Sequence, residues 1–180
     1  PPRVTKELKR SGCRHLMSGF ALDITVVEPD DGMPWDFNIR AKRDKARALI
    51  RKQRPYMLIG SPMCTAFSTW QRLNAARSND PAAMRRAKIE AVMHMNSVIS
   101  LYVEQVQGGR YFIHVHPRHA SSWELPAMEE LMKMQGVHLA HADQCQYGAA
   151  VAHGPFKGMP TKKPTGFHSN SRKVLDALSR

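Results

Sequence analysis

The pattern of apolar and polar residues divides the chain into short apolar runs and longer amphipathic stretches. Four runs rich in apolar, β-branched or aromatic side chains predict strands: 20–27, 56–60, 111–115 and 137–142. Amphipathic or polar helical patterns predict helices over five other segments: 3–11, 38–53, 81–107, 123–134 and 172–178. Strands that alternate with helices favour an α/β domain with a mostly parallel sheet and helices on both faces.

The longest predicted helix has well-marked ends. Asp80 is a typical N-cap and Pro81 suits the first helical position, whereas Gly108 and Gly109 end the helix. Between them, apolar residues recur every three or four positions, which indicates one buried face. The tail from Gly148 is rich in Gly, Pro and Lys and is predicted to loop over the sheet.

Length and composition describe a globular chain. With 180 residues, of which 42% are hydrophobic, the chain fits a single domain with a real core. No apolar run approaches the length of a membrane span, so we expect no membrane partner. The first residue is Pro rather than Met, which suggests a processed or excised segment that lacks its first strand.

The three cysteines indicate the cellular compartment of the chain, and its charge balance indicates the kind of partner. Cys13, Cys64 and Cys145 are widely spaced and odd in number, which predicts no disulfide framework and an intracellular, nuclear or cytoplasmic, location. Lys and Arg total 27 against 15 acidic residues, for a formal net charge of +12. A polyanion is the natural partner of such a chain, and nucleic acid is the commonest one.

Basic residues concentrate on the predicted helix 38–53. Its apolar face carries Ala46, Leu49 and Ile50, and its other faces are almost all positive. A charge run is usually a solvated helix face, but one of nearly single sign also predicts phosphate contacts, for which we single out Arg43 and Arg47.

Candidate chemistry lies in three loops that follow predicted strands. In an open parallel sheet, reactive groups sit just beyond the carboxyl ends of the strands. The loops contain Cys64, the pair His114 and His116, and residues 143–148. Cys64 is the candidate nucleophile; its alternative is a small buried thiol. Trp70, close to it in the chain, is a candidate for base stacking or a packing residue.

The segment LIGSPMCTAFS resembles the Pro-Cys nucleophile loop of the C5-cytosine DNA methyltransferases. The resemblance implies a Rossmann-like, class I methyltransferase-like domain that lacks a target-recognition domain. It also implies that the Cys64 thiolate adds to C6 of a flipped-out cytosine, with S-adenosylmethionine as methyl donor. Val115 stands where the family has its Glu, so His114 or His116 is expected to supply the proton.

Other positions follow from the same resemblance. Asp23 and Asp36 stand where such enzymes hold the ribose and the adenine of the cofactor, and Lys162 and Lys163 stand where basic residues contact phosphate or base. The segments GMPWDF, GRYF, DQCQYG and KKPTGF are similar to a divergent set of such domains in mobile elements, including retrotransposon polyproteins.

Three functions stay open. The chain is either an active DNA cytosine methyltransferase or a degenerate module of a larger polyprotein that retains only nucleic-acid binding; DNA is the favoured partner. A weaker hypothesis is a metal-dependent hydrolase or nuclease built on His114 and His116, with a third ligand among His119, His138, His141 and Cys145. Histidines whose ring nitrogens are hydrogen-bonded within the fold are commoner than metal ligands, so no metal site is predicted.

Overall fold

The computed structural model describes residues 3–12, 14–71 and 80–179. The chain divides into two compact units, Pro1–Pro55 and Tyr56–Arg180, here called unit 1 and unit 2. Within the described residues, no helix combines the length and the apolar character that a bilayer span requires.

Unit 1 contains two helices, α1 (Arg3–Ser11) and α2 (Arg40–Gln53), as the sequence predicts. The predicted strand 20–27 is wrong: within the described part of the chain, its one ladder contact is a bridge between Val27 and Pro34. A strand needs a neighbour to satisfy its backbone, and the Asp23 carboxylate instead accepts hydrogen bonds from Thr25 and folds the segment into a turn.

A buried ion network ties α2 to the preceding turn of unit 1. Lys42 is almost fully buried, and its ammonium lies 2.7 Å from Glu28 and 2.7 Å from Asp31. Lys45 also pairs with Glu28 and with Asp30. The Lys42 ammonium also lies 5.2 Å from the centroid of the Trp35 ring, so both carboxylates and an aromatic ring stabilise its charge.

Unit 2 is built on a four-stranded sheet of β1 (Met57–Gly60), β2 (Tyr111–Pro117), β3 (His138–Asp143) and β4 (Pro164–Ser169), in the order β1-β2-β4-β3. Helices α3 (Pro81–Gln107), α4 (Pro126–Lys133) and α5 (Arg172–Leu178) complete the unit. The predicted N-cap is confirmed, because Asp80 accepts a hydrogen bond from the Ala83 amide.

The predicted Rossmann-like, mostly parallel sheet is wrong. Only β1 and β2 pair in parallel, whereas β4 runs antiparallel to both β2 and β3. The difference arises in the tail: residues 164–169 do not loop over the sheet but insert as an interior strand. The segment looked like a loop because Pro164 and Gly166 weaken a strand pattern.

The directions of the strands still bring three loops together. Because β4 is antiparallel to both of its neighbours, β2 and β3 point the same way, and β1 is parallel to β2. The carboxyl ends of β1, β2 and β3 therefore lie at one edge of the sheet, together with the start of β4. We call this the carboxyl edge.

Two apolar clusters cover the faces of this sheet. Phe112, Tyr102, Met95, Met128 and Leu131 are among the buried residues that join one face to α3 and α4. On the other face, Leu175 of α5 packs against Phe167, Ala140, Ala142 and Val115 of the sheet.

Gly166 on β4 makes room for a close aromatic contact. A Cβ at this position would lie 2.8 Å from the Trp123 ring, which packs directly against the strand. The Trp123 indole is held there by a hydrogen bond from Nε1 to the Pro117 carbonyl, 2.8 Å away.

Candidate functional site

The Cys64 loop leaves β1 at Gly60 and is anchored by a short 3-10 helix, Thr65–Phe67. Phe67 is buried, and its amide donates to the Cys64 carbonyl at 2.9 Å. Lys88 of α3 lies 4.0 Å from the Phe67 ring centroid and donates to the Ala66 carbonyl at 3.1 Å. These contacts fix the backbone immediately after Cys64.

A pocket opens at the carboxyl edge, with a cavity volume of about 60 Å³. Several water molecules fit in such a space. It is lined by Ser61, Pro62, Cys64, Val115, His116, Pro117, Gln144, Lys163 and Thr165. The half-buried Cys64 therefore faces an opening rather than the core, in agreement with the position predicted for it.

His116 is the histidine that lines this pocket. Its Nδ1 lies 2.7 Å from the Ser122 hydroxyl. Its Nε2 is buried and has no hydrogen bond of ordinary geometry to any described residue. Burial lowers the pKa of His116 to about 4; the nearby Pro62 carbonyl opposes the shift and the positive charge of Lys163 adds to it. Ser122 contacts one nitrogen of the ring, and Pro62 and Lys163, which influence its pKa, line the pocket together with His116. At neutral pH it is uncharged and has no spare proton to supply.

His114, the second candidate proton donor, is fully buried and does not line the pocket. Its Nδ1 lies 3.2 Å from the Tyr102 hydroxyl. Burial, and then the neighbouring His116 and His168, lowers the pKa of His114 well below its ordinary value. Although His114 and His116 share a face of β2, as predicted, of the two only His116, nearer the strand end, lines the pocket.

A third histidine, His168 on β4, completes a cluster that the sequence analysis missed. It pairs with His114 across the strands, and its ring lies 5.0 Å from that of Trp123. Burial lowers the pKa of His168 to about 4, with His141 adding to the shift. No signal in the sequence points to it, because Pro164 and Gly166 make the strand that carries it resemble a loop.

The pocket has no acidic residue among its described lining residues. Val115 also lines it, and an aliphatic side chain offers neither a proton nor a hydrogen bond. Polar contacts come instead from Gln144 and Thr165, whose side chains lie 3.2 Å apart.

Cationic groups surround this edge. Lys163 lines the pocket, and the adjacent Lys162 is exposed, with its ammonium 3.9 Å from Asp143. Arg118 follows β2, and its amide donates to the Pro164 carbonyl at the start of β4. Burial lowers the pKa of His141, and the charges of Arg118 and His119 add to the shift, which places these groups near one another.

The remaining predicted nucleic-acid contacts differ in their settings. The Arg43 guanidinium donates to the carbonyls of Phe37 and Asn38 at 2.6 and 2.9 Å, so it caps a turn of unit 1. Arg47 is half-buried on the same helix. Trp70 is 69% exposed and therefore retains a free aromatic face.

The carboxylates of the two predicted cofactor residues both accept hydrogen bonds within their own turns. The Asp23 carboxylate accepts from the Thr25 amide at 2.8 Å and from its hydroxyl at 2.5 Å, and these bonds lower the pKa of Asp23. The Asp36 carboxylate accepts from the Asn38 amide at 2.9 Å. Each acid is thus engaged in its own turn, and neither stands at the end of a strand.

Among the residues that the structure describes, no group of three or more His, Cys, Asp or Glu side chains is placed to hold a metal ion. Comparison of the chain with models of protein families, with curated proteins and with solved structures gives no match.

Proposed function

We propose that the protein binds nucleic acid, with DNA as the favoured form, at the carboxyl edge of unit 2. The observation that carries the proposal is the pocket lined by Cys64, His116 and Lys163 within a cationic surround. An edge of this kind offers phosphate contacts around a recess lined by polar groups. Phosphate contacts position a nucleic acid, whereas polar groups in a recess contact its bases.

The charge distribution supports a polyanion rather than a neutral ligand. Lys163 lines the pocket, Lys162 and Arg118 adjoin its lining residues in the chain, and Asp143 lies 3.9 Å from the Lys162 ammonium. The formal net charge of +12 adds a long-range attraction that is independent of any single contact.

Replacing both lysines, Lys162→Ala and Lys163→Ala, is expected to weaken binding to a short DNA duplex and to reduce its salt dependence. Each lost phosphate contact lowers the slope of log K against log salt by about 0.9, so the slope should fall by about 1.8. The loss of affinity between about 50 and 200 mM salt then becomes roughly tenfold smaller. Fluorescence anisotropy over a salt series measures both quantities.

The matched control is Lys133→Ala combined with Lys173→Ala, which removes the same charge from α4 and α5. The Lys133 ammonium pairs with Glu130, and Lys173 is exposed. An equal drop in slope for both double variants would show that only net charge matters and would contradict a site at the carboxyl edge.

S-adenosylmethionine stays a prediction of the resemblance alone. With Asp23 and Asp36 engaged in their own turns, a calorimetric titration of the chain with S-adenosylmethionine is expected to give no binding heat. Micromolar binding would contradict the proposal that the module acts by binding nucleic acid without methyl transfer.

A further inference from the structure

The segment 149–161, between β3 and β4, forms a closed hairpin. Its two sides are joined by a bridge between Ala150 and Pro160 and by three backbone hydrogen bonds of 2.8 to 2.9 Å: Val151 N to Met159 O, Gly158 N to Val151 O and Thr161 N to Ala149 O. The ends of the hairpin connect to Gln144 and Lys163, which line the pocket. The hairpin therefore begins and ends next to the candidate site.

The tip of the hairpin presents an aromatic side chain to solvent. Gly154 and Gly158 take φ angles of +84° and +87°, which allow the two turns around the tip. Between them, Pro155 restricts the backbone immediately before Phe156. Phe156 is 64% exposed and Met159 is 55% exposed. A large apolar side chain is thus held on a restrained turn without a packing partner that would bury it.

The charge of this region is of one sign. After Asp143, the next acidic residue in the sequence is Asp176, whereas Lys157, Lys162 and Lys163 lie within or beside the hairpin. An exposed aromatic ring among lysines is a combination used by proteins that bind single-stranded nucleic acid, in which bases stack on the ring and cations track the phosphates.

We propose that Phe156 is a base-stacking residue: its ring stacks on an unpaired base of a nucleic acid whose phosphates contact Lys157 and the lysines of the carboxyl edge. This inference rests on the proposed function and adds the form of nucleic acid that the site prefers, namely a strand with accessible bases.

A lipid surface is the other apolar partner that such a tip suggests, and the observations favour it less. Attachment to a membrane interface grows with the apolar area that is buried, and this tip offers one aromatic ring and one thioether. A base, by contrast, needs only one ring face. The hairpin also adjoins a pocket lined by polar groups, which suits a polar ligand.

The test compares full-length Phe156→Ala with the unaltered chain for binding to a labelled single-stranded oligonucleotide over a salt series. Loss of stacking is expected to weaken binding about 5- to 100-fold. The slope of log K against log salt should stay unchanged, because no phosphate contact is removed. Phe156→Trp should restore affinity, and its added fluorescence should be quenched by the oligonucleotide.

Ile89→Ala on α3 is the matched control, since Ile89 is similarly exposed at 62% and should leave affinity unchanged. Affinity of Phe156→Ala within twofold of the unaltered chain would overturn the stacking role while leaving the lysine-dependent binding intact. Failure of the unaltered chain to bind any nucleic acid would overturn the proposed function itself. If Phe156→Ala abolished binding to phosphatidylserine vesicles but not to the oligonucleotide, the tip would be a membrane contact and the inference would be wrong.

Discussion

Gly60→Ala is expected to destabilise unit 2 by about 3 kcal/mol, the upper part of the range for overpacking a core. A Cβ at this position would lie 1.8 Å from the Tyr102 hydroxyl oxygen and 2.9 Å from Cζ of the same ring. Tyr102 cannot move aside easily, because it is fully buried, stacks on Phe112 and contacts His114 through its hydroxyl. Either β1 or α3 must therefore shift.

Chemical denaturation of the full chain measures this loss. Gly19→Ala serves as the control, because a Cβ there meets no atom within 4 Å and its backbone is not left-handed. The added Tyr102→Phe change removes the closest atom. The double variant should therefore lose less stability than the two single variants lose together. Strict additivity would contradict a direct clash between the two side chains.

The same substitution should affect binding. Gly60 directly precedes Ser61 and Pro62, which line the pocket, so a shift of β1 moves one of its walls. We therefore expect Gly60→Ala to weaken nucleic-acid binding even under conditions in which the variant remains folded, whereas Gly19→Ala should not.

Acidification from pH 6.5 to pH 5 is the second change with a large expected effect. His114, His116 and His168 are buried as neutral rings, and burial lowers the pKa of each of them. In the unfolded chain, histidine takes up a proton near pH 6.5. The unfolded state therefore binds more protons as the pH falls, and the free energy of unfolding decreases until the folded-state pKa is reached.

The magnitude follows from the size of these shifts. For His116 and His168, whose pKa falls to about 4, linkage predicts a loss of about 1.5 kcal/mol each over this pH interval. His114 adds a loss of the same sign. Together these losses are a large fraction of the 5–15 kcal/mol that typically stabilises a domain.

Denaturant melts at several pH values test this prediction. His168→Leu removes one titrating ring, whose Nδ1 has no hydrogen-bond partner among the described residues. The free energy of unfolding should then fall less steeply as the pH falls, by a slope that corresponds to about one bound proton. His153→Gln, which replaces a histidine at an exposed position, is the matched control. An identical slope for His168→Leu and the unaltered chain would show that His168 is not held neutral by the fold.

Parts of the candidate site were predictable because they depend on short-range signals. Gly-Ser-Pro after the apolar run 56–60 marks a strand end, and this was enough to place Cys64 in a loop at a sheet edge. The spacing of His114 and His116 placed both on one face of β2. It did not show that Ser122 and Tyr102 bind the two rings in different surroundings, since those partners come from other elements.

The hairpin 149–161 and His168 were not foreseen for a related reason. Gly- and Pro-rich segments predict turns but not whether two of them close into a hairpin that exposes Phe156. The strand that follows has few residues with high strand propensity, and its pairing with both β2 and β3 is what makes it a strand.

The amino-acid sequence by itself determined the helices, the Asp80 cap, the position of the Cys64 loop and the positive charge, because each depends on neighbouring residues or on composition. Only the tertiary structure decided the order β1-β2-β4-β3, the antiparallel direction of β4 and the separation of a buried His114 from a pocket-lining His116. Strand pairing joins segments that are distant in the chain, so its outcome depends on which edges meet and which side chains are buried when they do.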